Sequence, residues 1–398
     1  MPRLHRLSPT PPQIWAVEDT RLQVTWGHLP PGPVTASWPT GRATVEHGGG
    51  PGAIEITDLG PDSEVDLVLS WRGGSVPLVA RTLAPPPGEL LCRLATVSDL
   101  HLGSWHWGAL KLTRDRSGHP VPFPLRCARA ALAEAVAWGA EQVVVKGDAA
   151  HRQQKADFDQ VGQLLDGLPD HVGVLLIPGN HDQNGHTPYP LPAEVGARGV
   201  PYVTGADCVD LPGIRLVVGS TVVPGMGHGS LAATADAIAD LVTGAGGRPW
   251  FLGLHHQLQR HRIPTHYPAG VAAPASTAFL DRLASINPAG FVTSGHTHRN
   301  RTRRHGPLVV TEVGSTRDWP GVWAGYAVHE GGIRQVVRRI VEPDALAWLE
   351  PSHRALLGHW ETWAQGPLRQ RCLSRSWPVQ APGRRLPPPQ DQAEASYR

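Results

Sequence analysis

The chain has 398 residues, 40% of them hydrophobic, and a formal net charge of +2. That length suits two or three folding units rather than one small core, and near-neutral charge argues against a general nucleic-acid or membrane-surface role. The four cysteines lie far apart with no paired spacing, and no run nears the ~20 apolar residues of a membrane span or forms a signal peptide. Free thiols and a cytoplasmic location are the expectation.

Residues 1–88 are rich in Pro and Gly and show no helical period. Short alternating segments recur at 21–26, 34–38, 53–57, 64–71 and 76–82, separated by turn residues. This predicts a small all-β sandwich. Ala84-Pro-Pro-Pro-Gly88 reads as a stiff linker. Beyond it the texture becomes that of alternating strands and helices. Strands are predicted at 94–97, 142–146, 172–177, 214–218, 250–254, 291–293, 308–311, 325–328 and 333–340. Helices are predicted at 126–138, 157–168, 231–242 and 276–286. Many of these strands are continuous apolar runs, as strands buried on both faces are. The expected class is therefore α/β, with a layered α-β-β-α sandwich as its specific form. After Pro343 a Trp-rich helical extension spanning 342–398 is expected to pack on the core, with disorder from about residue 378. The resulting units are 1–88, 89–341 and 342–398.

Five polar clusters punctuate the middle unit. They are Asp99-Leu-His101, Gly147-Asp148, Gly179-Asn-His-Asp182, His255-His256 and Gly295-His-Thr-His298. Each follows an apolar run, so each sits where a strand ends. Carboxylate, amide and imidazole ligands without cysteine favour Mn, Fe, Zn or Co over calcium or a structural zinc. A shared carboxylate holds two such ions ~3.5–4 Å apart, and a water between them becomes a nucleophile near neutral pH. Glycine at 147, 179 and 295 lets the backbone turn sharply at the strand ends. Singly, most of these pieces are weak signals, because a Gly-Asp is usually a turn and paired histidines are often surface residues. Five in order, each at a strand end, are specific.

Over about residues 92–340 these clusters resemble the calcineurin-like metallophosphoesterase superfamily. The N-terminal segments, with Ile56-Thr-Asp-Leu-Gly-Pro61, resemble a fibronectin type III or purple-acid-phosphatase-like module. The resemblance implies two divalent transition-metal ions. Asp99, His101 and His298 would bind one, Asn180, His255 and His296 the other, and Asp148 would bridge them. His181 would stabilise or protonate the leaving group, and Asp182 would orient its imidazole. The pattern departs from relatives at His151, where Asp or Asn is common, and at Gln257, where Pro often follows the histidine pair. That second departure leaves His255 and His256 in competition, with His255 favoured as nearer the strand. No tyrosine follows Asp148, which argues against a purple enzyme.

Three long segments, 103–125, 183–203 and 257–274, are expected to converge over the metals. The first carries Trp105, His106, Trp107, Lys111 and Arg114, whose indoles either stack on a substrate ring or anchor the loop. Arg299, Arg301, Arg303 and Arg304 either supply a cation to substrate phosphate or form a solvated strand face. The leading expectation is a small-molecule phosphodiester substrate cleaved by a metal-bridging hydroxide. A phosphomonoesterase is the alternative within the class. A non-catalytic scaffold tethered by the β module is the alternative outside it, and a nuclease is disfavoured by charge.

Overall fold

The computed structural model describes residues 8–108, 113–115, 117–185 and 190–378. Lys111 and the tail from 379 lie outside them. Seven strands make up the N-terminal region. Gln13–Val17, Leu22–Leu29 and Gly50–Ile56 form one sheet. Gly41–His47, Gly32–Trp38, Glu64–Trp71 and Gly74–Arg81 form the other. Trp15 and Trp26 are fully buried in this region's core. Two of the seven strands escape sequence reading. Gly41–His47 carries only Ala43 and Val45 as apolar residues, and Gln13–Val17 follows a proline run that masks its start.

The remainder is a four-layer α-β-β-α sandwich. One six-stranded sheet runs in the order Gly173–Ile177, Gln142–Lys146, Leu90–Val97, Val322–His329, Gly332–Arg339 and Cys372–Ser376. The second runs Ala206–Leu211, Ile214–Gly219, Trp250–Leu254, Gly290–Ser294, Leu308–Glu312 and Arg301–His305. Helices α1 (Phe123–Ala137) and α2 (Lys155–Asp166) cover the first sheet, and α3 (Ala235–Thr243) and α4 (Ala273–Ile286) cover the second. Phe251 and Phe291 of one sheet meet Tyr326 of the other, at ring-centroid distances of 4.7 and 5.5 Å. Such strands are buried on both faces, which is why their sequences are unbroken apolar runs. Helices α1 and α4 begin three residues earlier than the period suggests, because each carries proline in its first turn, where the missing N–H costs nothing.

The C-terminal extension is only partly the helical segment expected. A helix α5 (Pro343–Ser352) is followed by short helical turns. Cys372–Ser376 then adds an edge strand, antiparallel to Gly332–Arg339. A five-residue strand of mixed polarity, Cys-Leu-Ser-Arg-Ser, has no period of its own, and only an available sheet edge reveals it. The N-terminal sheets dock against this same region. Glu18 pairs with Arg338 at 2.7 Å and Arg334 at 3.4 Å, and Arg339 pairs with Glu350 at 2.5 Å. No helix among the described residues is long and apolar enough to cross a membrane. Cys92, Cys127, Cys208 and Cys372 are all unpaired.

Candidate metal centre

Parallel pairing places five strand ends on one edge of the two sheets. Gln142–Lys146 lies parallel to both Leu90–Val97 and Gly173–Ile177, and Trp250–Leu254 lies parallel to Gly290–Ser294. The residues just past each end are Asp99, Asp148, Asn180, His255 and His296. Ligands bind at the carboxyl ends of parallel strands because the backbone there turns away and leaves a crevice. The turns are strained. Among the described residues seven non-glycine residues have positive φ, and five of them are Asp99 (56°), His101 (48°), Asp148 (49°), His296 (66°) and His298 (51°). A left-handed backbone costs a residue with a Cβ of the order of 1 kcal/mol, and clustered strain of this kind marks functional sites.

The side chains converge. His101 Nε2 lies 3.5 Å from Asp148 Oδ2, and His255 Nε2 lies 3.5 Å from Asp148 Oδ1. His298 Nε2 lies 3.3 Å from Asp99 Oδ1, and Asn180 Oδ1 lies 3.2 Å from His255 Nε2. Ligands ~2.0–2.2 Å from a shared ion stand about 3–3.5 Å from one another. Asp99 Oδ1 and His101 Nε2 are buried and have no hydrogen-bond partner. Buried polar atoms are normally satisfied, so these two fit a cation.

Three imidazoles are each fixed by an oxygen acceptor on one nitrogen. His255 Nδ1 donates to the Lys146 carbonyl (2.8 Å), His296 Nε2 to the Pro268 carbonyl (3.0 Å), and His298 Nδ1 to Asp318 Oδ2 (2.7 Å). The other ring nitrogen of His255 faces Asn180 Oδ1 and that of His298 faces Asp99 Oδ1, so both are aimed into the cluster, where an ion would take the place of a proton. His256 differs. Its Nδ1 meets Thr221 Oγ1 at 2.9 Å and its Nε2 meets the Gly227 carbonyl at 3.3 Å, so both nitrogens are occupied.

The local field favours cations. Burial lowers the affinity of His298 for a proton, yet Asp318 and Asp99 together push its pKa up to about 10. Burial works to raise the Asp99 carboxyl, and the His298 and His255 imidazoles overcome it and hold it well below the usual range. Burial drives His296 and His101 well below their ordinary value, which keeps them neutral donors of a lone pair.

His181 faces the same cleft. Its backbone N–H donates to Asp148 Oδ1 at 2.8 Å, and its Nδ1 donates to the His151 carbonyl at 3.1 Å, which leaves Nε2 for a ligand. Asp182 does not orient that ring, contrary to expectation. Its carboxylate accepts from the backbone N–H groups of Gly179 (2.8 Å), Ala150 (2.7 Å) and Ala149 (3.2 Å). Consecutive side chains in this turn point apart, and Asp182 ties the Asp148 and Asn180 turns together. Burial, and then the Asp148 charge, push its pKa up to about 7. His151, in the place where relatives often carry a carboxylate or amide, puts Nδ1 3.5 Å from His101 Nδ1.

A cleft of about 720 Å³ opens over the ligands, lined also by Trp107, His266, Tyr267, Arg317 and Trp360. Trp107 is buried and meets Trp360 edge-on at 5.0 Å. Trp105 is 70% exposed and is not among the lining residues. The arginine in the cleft is Arg317, not a member of the 299–304 run. Arg299 is spent on Glu312 at 2.7 Å, while Arg317 is buried, donates to Ser104 Oγ at 3.3 Å and has its Nε 3.7 Å from Asp318 Oδ2. Sequence reading missed Arg317, Asp318, Tyr267 and Trp360. One signal was present for the first two: the apolar run at 308–311 ends in Gly314-Ser-Thr-Arg-Asp318, a sixth polar turn at the same edge.

The family model described as calcineurin-like phosphoesterase matches residues 92–300. Among solved structures, the chain is similar to purple acid phosphatase PPD1 from yellow lupin (Lupinus luteus) seeds, at 12% identity over 83% of this chain and 72% of that one, with a TM-score of 0.44. It is similar to a dimetal phosphatase from Danio rerio at 13% identity, covering 64% of this chain and 98% of that one, with a TM-score of 0.46. PhoD is a further similar structure, at 8% identity over 83% and 87% of the two chains, with a TM-score of 0.39. No curated protein sequence matches the chain.

Proposed function

The chain belongs to the calcineurin-like phosphoesterase family, and from that premise we propose that it hydrolyses phosphodiesters with two divalent transition-metal ions, drawn from Mn, Fe, Zn and Co. Asp99, His101 and His298 would hold one ion, Asn180, His255 and His296 the other, with Asp148 shared. The observation that carries this reading is the set of three imidazoles, each anchored through one nitrogen to an oxygen acceptor, with the other nitrogen of His255 and of His298 turned to an oxygen of the cluster, Asn180 Oδ1 at 3.2 Å and Asp99 Oδ1 at 3.3 Å. Bound ions supply Lewis-acid polarisation of the phosphoryl group and an acidified water as nucleophile.

The chain's own groups do the rest. Arg317, buried and lining the cleft, pairs with a non-bridging phosphoryl oxygen. His181 delivers a proton from Nε2 to the departing oxygen. Asp318 holds His298 in the required tautomer, and Trp360 donates to the second oxygen of Asp318 at 3.1 Å, which locks that carboxylate. Trp107 and Trp360 keep water from one side of the cleft.

Preference for a diester rests on charge and shape. A single guanidinium balances one phosphoryl anion, and aromatic walls at Trp107, Tyr267 and Trp360 suit a second ester arm. In this reading residues 1–88 are a docked β unit, 89–341 the catalytic unit, and 342–398 an extension that contributes Trp360 to the cleft. The test is turnover of bis-p-nitrophenyl phosphate against p-nitrophenyl phosphate by manganese-loaded protein. The diester should be the better substrate by kcat/KM. A dominant monoesterase activity overturns the preference, and no turnover of either with two metals bound overturns the reading.

A further inference from the structure

The arginine run after His298 is not a uniformly solvated face. Arg301 and Arg303 lie two residues apart on the edge strand Arg301–His305, so their side chains project from the same side about 6.6 Å apart along the strand. With Arg299 and with Arg260 from the segment after the histidine pair, they line a small hollow. One carboxylate, Glu312, faces these four guanidinium groups, and it is already engaged by Arg299 through two contacts of 2.7 and 3.3 Å. The side chains of Arg260 and Arg301 form no ion pair or hydrogen bond among the described residues. Arg303 reaches only the Leu258 carbonyl, at 2.9 Å.

Four guanidinium groups beside one carboxylate leave an excess of positive charge in a partly enclosed space, which is unfavourable. Burial lowers the pKa of Arg303, Glu312 opposes the shift, and Arg260 and Arg301 add to it. A second feature points to a polar occupant. Gln257 is 3% exposed, lines the same hollow, and its Oε1 has no partner. The side-chain amide turns readily to offer N–H groups instead.

The hollow adjoins the metal cleft. Arg299 immediately follows His298, its guanidinium lies 4.3 Å from the Trp363 ring, and Trp363 stacks with His266 of the cleft at 6.2 Å. We infer that the hollow lined by Arg260, Arg301 and Arg303 is a second anion site that takes a phosphate group remote from the one being hydrolysed. Its occupant rests on the phosphohydrolase reading, since the natural substrate then carries at least two phosphate groups. The site itself does not require metal.

The test uses inorganic pyrophosphate as probe and the full chain stripped of metal, then dialysed free of chelator. Calorimetry should show one binding event that weakens at least tenfold in the double variant Arg301→Gln, Arg303→Gln. The charge-preserving double variant, Arg301→Lys with Arg303→Lys, should retain most of the affinity. No binding by the metal-free chain, or equal binding by the glutamine variant, overturns the inference. Failure of the hydrolysis reading is seen separately, as absent diester turnover by metal-loaded protein that still binds pyrophosphate when stripped.

Discussion

Two buried polar clusters in this molecule answer the cost of burying charge in opposite ways. At the contact between the N-terminal sheets and the strand Gly332–Arg339, carboxylates meet guanidinium groups. Glu18 takes Arg334 and Arg338, Glu55 takes Arg338 at 3.0 Å, and Glu350 takes Arg339 at 2.5 Å. Arg371 donates to the Trp15 carbonyl at 3.0 Å and stacks on its ring at 4.1 Å. Spare N–H groups of Arg334 and Arg339 remain, yet the carboxylates are matched and none of these residues has positive φ. At the strand ends the balance is reversed. Asp99 Oδ1 and His101 Nε2 lack hydrogen-bond partners, and five residues hold left-handed backbone. A cluster that serves the fold completes itself. A cluster that serves chemistry stays incomplete and strained, with the surrounding sheets bearing the cost.

The sharpest way to break this contrast is to remove the shared carboxylate. Asp148→Ala should lose bound metal and at least about 1,000-fold in kcat/KM, about 4 kcal/mol of transition-state stabilisation. His181→Ala should lose turnover while keeping metal, as read by metal analysis of the purified protein. Normal turnover in His181→Ala removes that residue from the mechanism.

The converse substitution lies in the other cluster. Glu18→Ala removes the carboxylate shared by the buried Arg334 and Arg338, which keep Asp19 and Glu55 respectively, and should destabilise by about 1.5–3 kcal/mol. Urea unfolding measures this, and metal content per folded chain should be unchanged. Loss of metal at full stability would mean the two clusters are not separate.

Asp318→Asn tests the edge of the strained cluster. It should cost about 10–100-fold in metal affinity or activity, since His298 would lose its charged partner. Metal titration of the variant checks it.

The smallest effect is one of pH. Burial works to raise the Glu350 carboxyl, and Arg339 overcomes it and holds it below its ordinary value of 4.5. A carboxyl lowered in the folded state adds stability that is present above pH 4.5 and lost as pH falls through the folded value. Glu350→Gln should therefore be less stable at pH 7 and flatten the stability profile below pH 4.5, measured by urea unfolding across that range.

Much of the catalytic framework was legible because its signals are local. Gln142–Lys146 and Trp250–Leu254 are continuous apolar runs, and their bounds could be read directly. The residues after them are polar groups at a turn, so the convergence of Asp148 and His255 at one edge follows from position alone. The Cys372–Ser376 strand had no such signal, since it exists only because Gly332–Arg339 leaves an edge to pair. Asp182 misled because adjacency in sequence suggested contact with His181, while the turn sends the two side chains apart.

The amino-acid sequence determined the layered α/β class, the strand ends and the ligand types, because apolar period and turn chemistry act over a few residues. Tertiary structure alone decided which partners each histidine of the 255–256 pair meets, that Asp318 supports His298, that Arg317 and Trp360 enter the cleft, and that Arg301 and Arg303 share a hollow with Arg260. These facts depend on hydrogen bonds and contacts between segments tens to hundreds of residues apart, and no local pattern records which distant partner will occupy a given nitrogen or oxygen.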